Sequence, residues 1–522
     1  MLNRLIACGI GTLLCGSVFA QGQVKGFVYE DQNGNGKKDK KEAGLAKVAV
    51  SNGREVVLTD AQGKYELPLG QDQTIFVIKP SGYRLPVNEF NLPQFYRHHK
   101  PQGSPKTKFA GVAATGALPK SVDFAVMKQN EPTDFKILVF GDPQVYSEEQ
   151  VSFFKKGIID EVKTKTEGVR FGISLGDEVG DNPELYPSYK KAIQQLGLPW
   201  FNVMGNHDMN YDAQADSLSD ESFEAAFGPN NYAFNSGDVH FVVLDNILYP
   251  DPRDGKGYLG GLRPDQLDFI ENDLKLVPKD KLIVFCYHIP PIEEFRPEDR
   301  QRMFNALKDF PHTLSLSAHT HFQLHHFFGK EEGFTREKPH HEYNVGTTSG
   351  DWYSGEMNEK GVPVSMMRDG TPKGYMFLSF KGNEYAFDYR VAGQPEDYKI
   401  GIHAPKVIAR RQSAKGEVYA NFFQGSEKDQ LEYRLDDGSW KAMTQVAEPD
   451  PVMLKTRLRW DEATEPLKGM RPSNPVTCTH LWKAALPGNM AEGNHTIEVR
   501  AKDAYGRTFT NTQKIQVVAS AE

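Results

Sequence analysis

The chain has 522 residues, 39% hydrophobic and 25% charged, with a formal net charge of −8. That length accommodates about three domains at roughly 100–200 residues each, with the composition of a soluble globular protein. The acidic balance excludes a general binder of nucleic acid or of anionic membranes. The basic run Lys37 to Lys41 is broken by Asp39 inside a Gly/Asn-rich turn and reads as a solvated loop.

Residues 1–20 read as a signal peptide. Arg4 supplies the positive start, Leu5 to Leu14 is apolar, and Val18-Phe19-Ala20 offers a cleavage point after Ala20. The expected destination is the periplasm or the extracellular space. A lipobox-like Leu5-Ile6-Ala7-Cys8 stands too near the start to leave an apolar region before it, so a lipoprotein ranks second. No later stretch reaches the roughly 20 apolar residues that a membrane span needs. Cys8 and Cys15 fall in the signal, which leaves Cys286 and Cys478, and a disulfide framework is not expected.

Two polar, Pro-containing breaks, Gln129 to Asp134 and Gly393 to Asp397, divide the rest into regions 21–128, 129–395 and 396–522. The first reads as all-β. Val24 to Tyr29 is β-prone, Asn52-Gly53 joins Val48-Ala49-Val50 to Val56-Val57-Leu58 as a hairpin, and Thr74 to Ile78 is a further strand. Within it, Asp31, Asn33, Asn35, Asp39 and Glu42 fall at positions 1, 3, 5, 9 and 12 of a calcium-type loop. Its flanks look like strand, so this is no EF-hand, and it resembles the calcium loops of B-repeat modules in bacterial surface adhesins. The competing reading is a Gly/Asn hairpin loop. The last region also reads as all-β, with Asp437-Gly438 turning between Leu431–Leu435 and Trp440, and Thr496 to Ala501 alternating as a half-buried strand should.

The middle region alternates short apolar strands with amphipathic helices, the α/β signature. Ser147 and Gln150 predict a capping box ahead of a helix carrying Phe153, Phe154, Ile158 and Val162. Pro264 suits the first turn of a helix carrying Leu267, Ile270 and Leu274.

Five strands here each run into residues that bind metals. Ile137 to Phe140 leads to Asp142 and Gln144, Phe171 to Leu175 to Gly176-Asp177, and Phe201 to Met204 to Gly205-Asn206-His207-Asp208. Leu282 to Tyr287 leads to His288, and Leu314 to Ser317 to His319-Thr320-His321. Ligands of α/β sheets bind beyond the carboxyl ends of strands. Oxygen and imidazole donors without thiolate suit Mn, Fe or Zn. A lone His or Asp at a strand end is more often a turn or capping residue; five in order are not explained that way.

These residues resemble the five ordered motifs of calcineurin-like phosphoesterases, in about half the chain, and the flanks resemble the N- and C-terminal modules of one bacterial branch of that family. The resemblance implies a four-layer α/β/β/α core flanked by two all-β sandwich domains. It also implies a site for two divalent transition-metal ions. Asp142, Asp177 and His321 would hold the first ion, with Gln144 where the family usually has His. Asp177, Asn206, His288 and His319 would hold the second, with Asp177 bridging. His207 would face the leaving group as general acid, and Asp208 would orient it. The implied reaction is in-line attack of a metal-bridging hydroxide on a phosphomonoester or phosphodiester, the substrate being a phosphorylated small molecule, lipid or glycan. Beyond Gln144, the chain departs from the family at Asp181, one residue late for the second motif, and at Ala318, where Gly is usual.

Trp352 and Arg368, in a Gly/Pro-rich stretch after the last motif, are candidate substrate contacts. His98-His99 and His340-His341 are candidates for the substrate entrance or for surface turns. A second reading of the whole chain, a catalytically weak cell-envelope binding protein on the same fold, is favoured by Gln144 and the two sandwich modules.

Overall fold

The computed structural model describes residues 22–519, so the signal and lipobox expectations lie outside the described residues. Among the described residues no helix is long and apolar enough to cross a membrane, and Cys286 and Cys478 are buried free thiols.

The middle region forms two packed sheets. The first runs Trp200–Asn202, Val169–Ser174, Asp134–Phe140, Gly374–Lys381, Glu384–Val391, with the first three strands parallel and the last two antiparallel additions. The second runs Tyr232–Ser236, Val239–Val243, Leu282–Cys286, Thr313–Ser317, His340–Asn344, Leu324–Phe328, with four parallel strands between two antiparallel edges. Alternation along Asp134–Phe140 explains the layering. Ile137 and Val139 face the second sheet, whereas Leu138 and Phe140 face the outer helices Glu148–Phe154 and Tyr186–Gln194. Between the sheets the rings of Phe171 and Phe241 meet edge to face at 5.4 Å. Helices Pro264–Leu274 and Pro297–Leu307 cover the far side of the second sheet through Leu267, Phe269, Met303 and Phe304. The result is the four-layer α/β/β/α order.

Pro264 opens its helix as expected. Ser147 caps Glu148–Phe154 by accepting from Gln150 N–H, but the Gln150 side chain reaches back to Tyr146 N–H, one residue short of a reciprocal box.

Each flanking region has two sheets. The N-terminal pair are four-stranded, and the expected Asn52-Gly53 hairpin pairs Ala49–Ser51 with Val56–Leu58. The C-terminal pair have four and five strands. One correction applies there: Pro451–Asp461 is a helix, opened by Asp450, whose carboxylate accepts from Val452 and Met453 N–H. Only Met453 of that helix is buried, so no apolar stripe announces it.

The N-terminal region shares its core with the middle one. The Phe76 ring packs on Phe269 at 5.7 Å and Phe95 on Tyr232 at 5.2 Å. The polar break between them is pinned too, because Glu131, whose side chain is 2% exposed, takes Lys79 Nζ at 3.1 Å and Arg170 at 3.3 Å. A second buried knot centres on Lys100, whose ammonium lies 2.7 Å from Glu221 and 3.0 Å from Glu224 on the far side of the junction. Burial alone would lower its pKa; Glu224 and Glu221 hold it well above the usual lysine range.

Lys100→Ala strands two carboxylates in the junction and should cost about 3–5 kcal/mol, read from guanidinium unfolding. Lys100→Met combined with Glu221→Gln should recover much of that. A loss below about 1 kcal/mol for Lys100→Ala would show that this cluster does not hold the junction.

Candidate metal centre

The five strand ends converge. The Asp177 carboxylate lies 3.2 Å from His288 Nε2, which is 3.1 Å from Asn206 Oδ1 and 3.2 Å from His319 Nδ1. His319 Nδ1 is in turn 2.9 Å from Asn206 Oδ1. The ligand atoms of Asp177, His288 and His319 all fall within 4.8 Å of one another. His288 Nδ1 faces the Leu175 carbonyl at 2.8 Å, which turns Nε2 into the cluster.

On the other side of Asp177 lie Asp142, Gln144 and His321. Asp142 accepts from His319 N–H at 3.1 Å, and its carboxylate is 3.9 Å from His321 Nε2. His321 Nδ1 faces the Gly350 carbonyl at 2.6 Å, again leaving Nε2 for the site. Gln144 Nε2 donates to the Tyr146 hydroxyl, while its Oε1 is buried without a hydrogen-bond partner. A buried, unpartnered amide oxygen suits a cation. Asp177, Asn206, His288 and His319 are therefore brought together, Asp142 stands beside His319 and His321, and Gln144 joins them through its backbone N–H, which donates to the Asp177 carbonyl at 2.7 Å.

The backbone explains why these turns are special. Asp142, Gln144, Asp177, His319 and His321 all have positive φ, between 35° and 74°. For non-Gly residues that geometry costs about 1–3 kcal/mol each and persists only where the surroundings impose it. Gly205 serves close approach: a Cβ there would lie 2.0 Å from Asp177 N.

Electrostatics divides the cluster. Burial pushes the Asp142 carboxyl up to about 8 despite the pull of His288. Burial acts on Asp177 in the same direction, but the imidazoles of His288 and His207 outweigh it and hold that carboxyl well below the usual range. His319 and His321 are lowered by burial to about 3 and about 4, which keeps them neutral, as ligands must be.

His207 lies at the rim, its backbone N–H on Asp177 Oδ1 at 2.8 Å. The expectation that Asp208 orients it needs correction. His207 Nδ1 pairs with Asp181 at 2.8 Å, across the cleft. Asp208 instead points into the protein, where it accepts from the N–H groups of Gly205, Glu178 and Val179 and from the Tyr186 hydroxyl. Adjacent residues of the Asn206–Asp208 turn point in different directions, so sequence neighbours are not spatial ones. Burial would lower the His207 pKa, but Asp177 and Asp181 raise it to about 9.

Aromatic rings back the histidines, a feature that sequence motifs alone do not signal. Tyr146 meets His207 at 6.0 Å and Tyr258 meets His319 at 6.1 Å, both edge-on. Trp352 stacks on His321 at 3.9 Å, which places this candidate beside the site. Arg368 donates its backbone N–H to the His321 carbonyl, and its Nε is buried without a partner. The paired histidines elsewhere are not an entrance. His340 and His341 are buried in the second sheet, and His98 bridges Thr74 and the Glu224 carbonyl at the N-terminal junction.

In the N-terminal loop the five calcium candidates organise the turn by hydrogen bonds. Asp31 accepts from Gly34 and Gly36 N–H, and Asn33 and Asn35 accept from Asn35 and Lys37 N–H. The side-chain amides of Asn33 and Asn35 turn to Asp39, and Glu42 takes Gln32 and Asp39 N–H.

Three family models match in order along the chain. They are the N terminal of calcineurin-like phosphoesterase over 32–113, calcineurin-like phosphoesterase over 135–323, and the C terminal of calcineurin-like phosphoesterase over 342–509. A probable glycerophosphodiester phosphodiesterase GpdQ of Arcobacter nitrofigilis is 27% identical over 196 residues, 35% of this chain and 67% of that protein. Among solved structures, the purple acid phosphatase PPD1 from yellow lupin (Lupinus luteus) seeds is similar at 12% identity and TM-score 0.36, over 66% of this chain and 67% of that one. A metallophosphoesterase from Sphaerobacter thermophilus is similar at 15% identity and TM-score 0.22, over 49% and 89%.

The two aspartates flanking His207 should separate by experiment. Asp208→Ala removes a carboxylate from several buried donors and should cost about 3 kcal/mol in denaturant unfolding. Asp181→Asn should leave stability within about 0.5 kcal/mol. It removes an influence that raises the His207 pKa, so any activity that needs protonated His207 should fall off at lower pH than in the wild type. An unshifted alkaline limb would dissociate Asp181 from His207.

Proposed function

The chain belongs to the calcineurin-like phosphoesterase family, in its form with N- and C-terminal modules, and we propose that it is a secreted hydrolase of phosphodiesters or phosphomonoesters that works with two divalent ions. It is a metal-dependent phosphoric ester hydrolase; the secretion, the two-ion count and the roles below are the proposal. The observation that carries it is the meeting of Asp177, Asn206, His288 and His319 within hydrogen-bond distance, with Asp142 on His319 N–H and 3.9 Å from His321.

Asp142, Gln144, Asp177 and His321 would hold one ion, and Asp177, Asn206, His288 and His319 the other. When bound, such ions supply an activated water and neutralise the phosphoryl oxygens; Mn, Fe and Zn all suit this donor set. His207 has the general acid's task. Its Nδ1 is committed to Asp181, so Nε2 carries the proton toward the leaving oxygen. The Asp181 carboxylate on Nδ1 favours the protonated ring. Trp352, Tyr146 and Tyr258 would wall the substrate cleft. The relative named as a probable glycerophosphodiester phosphodiesterase favours a diester.

Purified protein should carry Mn, Fe or Zn by elemental analysis, and a screen with p-nitrophenyl phosphate and bis-p-nitrophenyl phosphate should show turnover. Metal without turnover would favour the binding-protein reading. His207→Ala should lose on the order of 10²–10⁴-fold on an alkyl phosphoester, where a basic alkoxide departs, and much less on a nitrophenyl ester, with metal content unchanged. Equal losses on both would mean that His207 orients the phosphate instead.

We also propose that the 31–42 loop takes Ca²⁺, through Asp31, Asn33, Asn35, Asp39 and Glu42. With three carboxylates, the expected affinity is on the order of 10⁻⁴ M. The full chain should melt higher in millimolar calcium than in a calcium-selective chelator, and Asp31→Ala should abolish the difference. No shift in the wild type would leave the loop as a plain hairpin connection.

A further inference from the structure

The turn that carries His319 and His321 is strained at both histidines, with φ of 74° and 55°. Something outside it must hold it in place. Two hydrogen-bonded chains reach it from the C-terminal module. In the first, His480, 1% exposed, places Nε2 at 2.9 Å from Asp369 Oδ2, and that same oxygen accepts from Gln323 N–H at 2.8 Å. In the second, Val476 N–H donates to the Arg368 carbonyl at 3.0 Å, and Arg368 N–H donates to the His321 carbonyl at 3.2 Å.

The first chain is fixed at both ends. His480 Nδ1 is 2.8 Å from Asn421 Oδ1, and Asn421 Nδ2 reaches back to the Asp369 carbonyl at 3.3 Å. Asp369 Oδ1 accepts from Thr371 N–H, so neither of its oxygens is idle. His480 and Asn421 are neighbours in one sheet, on strands Thr477–Ala485 and Glu417–Phe422. They present a rigid platform to the loop at Asp369. The same stretch of chain ties the loop under Trp352, the ring stacked on His321, because Ser473 N–H donates to Asp351 and Gly355 N–H to the Met470 carbonyl. A module with its own hydrophobic core thus braces both loops that bracket His321.

We propose that His480 is a positioning residue for the metal centre, acting through Asp369 on the His319–Gln323 turn. The C-terminal module is then part of the catalytic apparatus and not an appendage to it. This rests on reading that turn as metal-binding. His480 touches neither ion nor substrate; it fixes where His321 Nε2 stands. Partners of this outer kind typically change metal affinity or activity by about 10–100-fold.

The test is Mn²⁺ titration of the full-length, chelator-stripped protein, alongside melting. Three variants are compared: His480→Ala, His480→Gln, which keeps an N–H for Asp369, and Val499→Ala, which trims the module's core away from the tether. His480→Ala should weaken one of two Mn²⁺ sites by about 10–100-fold, and His480→Gln should restore much of it. Val499→Ala should melt lower yet bind as the wild type does. The proposal is overturned if His480→Ala binds both ions normally, if Val499→Ala loses them equally, or if the wild type binds no Mn²⁺. A wild type that binds Mn²⁺ but hydrolyses no phosphoester would sink the proposed function alone, since the titration still reads the tether.

Discussion

Seven donors that repel one another or lack partners of their own must be held in one place before any chemistry is possible. Carboxylates and imidazole nitrogens do not converge spontaneously, because burying them costs several kcal/mol per charge. Here they are forced together by five strand ends that finish at the same edge, by left-handed turns at five of the donors, and by Gly205, whose missing side chain lets it lie against Asp177. The apolar inner faces of the two sheets supply the stabilisation that offsets this. Burial lowers the pKa of His319 and His321, whereas Asp177 raises that of His288 and, together with Asp181, that of His207.

The flanking modules belong to that economy in different ways. The N-terminal module is fused to the catalytic core by aromatic packing and buried ion pairs at Lys79, Lys100 and Glu131. The C-terminal module has a core of its own, packs Phe423 into the main core and Tyr505 on Phe387, and in addition reaches across with hydrogen bonds aimed at particular turns. Hydrophobic contact is non-directional and serves to bind both junctions. Directed bonds add what the loops at Asp369 and Asp351 require, a fixed position.

Much of this was legible in the sequence. Apolar runs ending in Asp, Asn and His marked the strands and the Asp177, Asn206, His288 and His319 cluster, because buried parallel strands need continuous hydrophobicity and the site needs polar termini. The Asn52-Gly53 hairpin and the Pro264 helix start follow from local backbone preference alone. What stayed hidden depended on long-range geometry. Asp181 partners His207 from a different strand end, and nothing in the order of residues ranks it above the adjacent Asp208. His340 and His341 look like surface residues until the sheet closes over them. Helix Pro451–Asp461 has too little apolar pattern to register against the strands around it. The carbonyls of Leu175 and Gly350, which set the imidazole tautomers, belong to the backbone and have no residue signature.

The shared aromatic core at the first junction has a consequence for how the protein is made. Phe76 leaves the ribosome about 190 residues before Phe269, the ring it packs against. At the usual pace of synthesis that is an interval on the order of 10–40 s. Throughout it the N-terminal sheets carry an uncovered apolar face. That face is covered only once the second sheet and its helices have been translated.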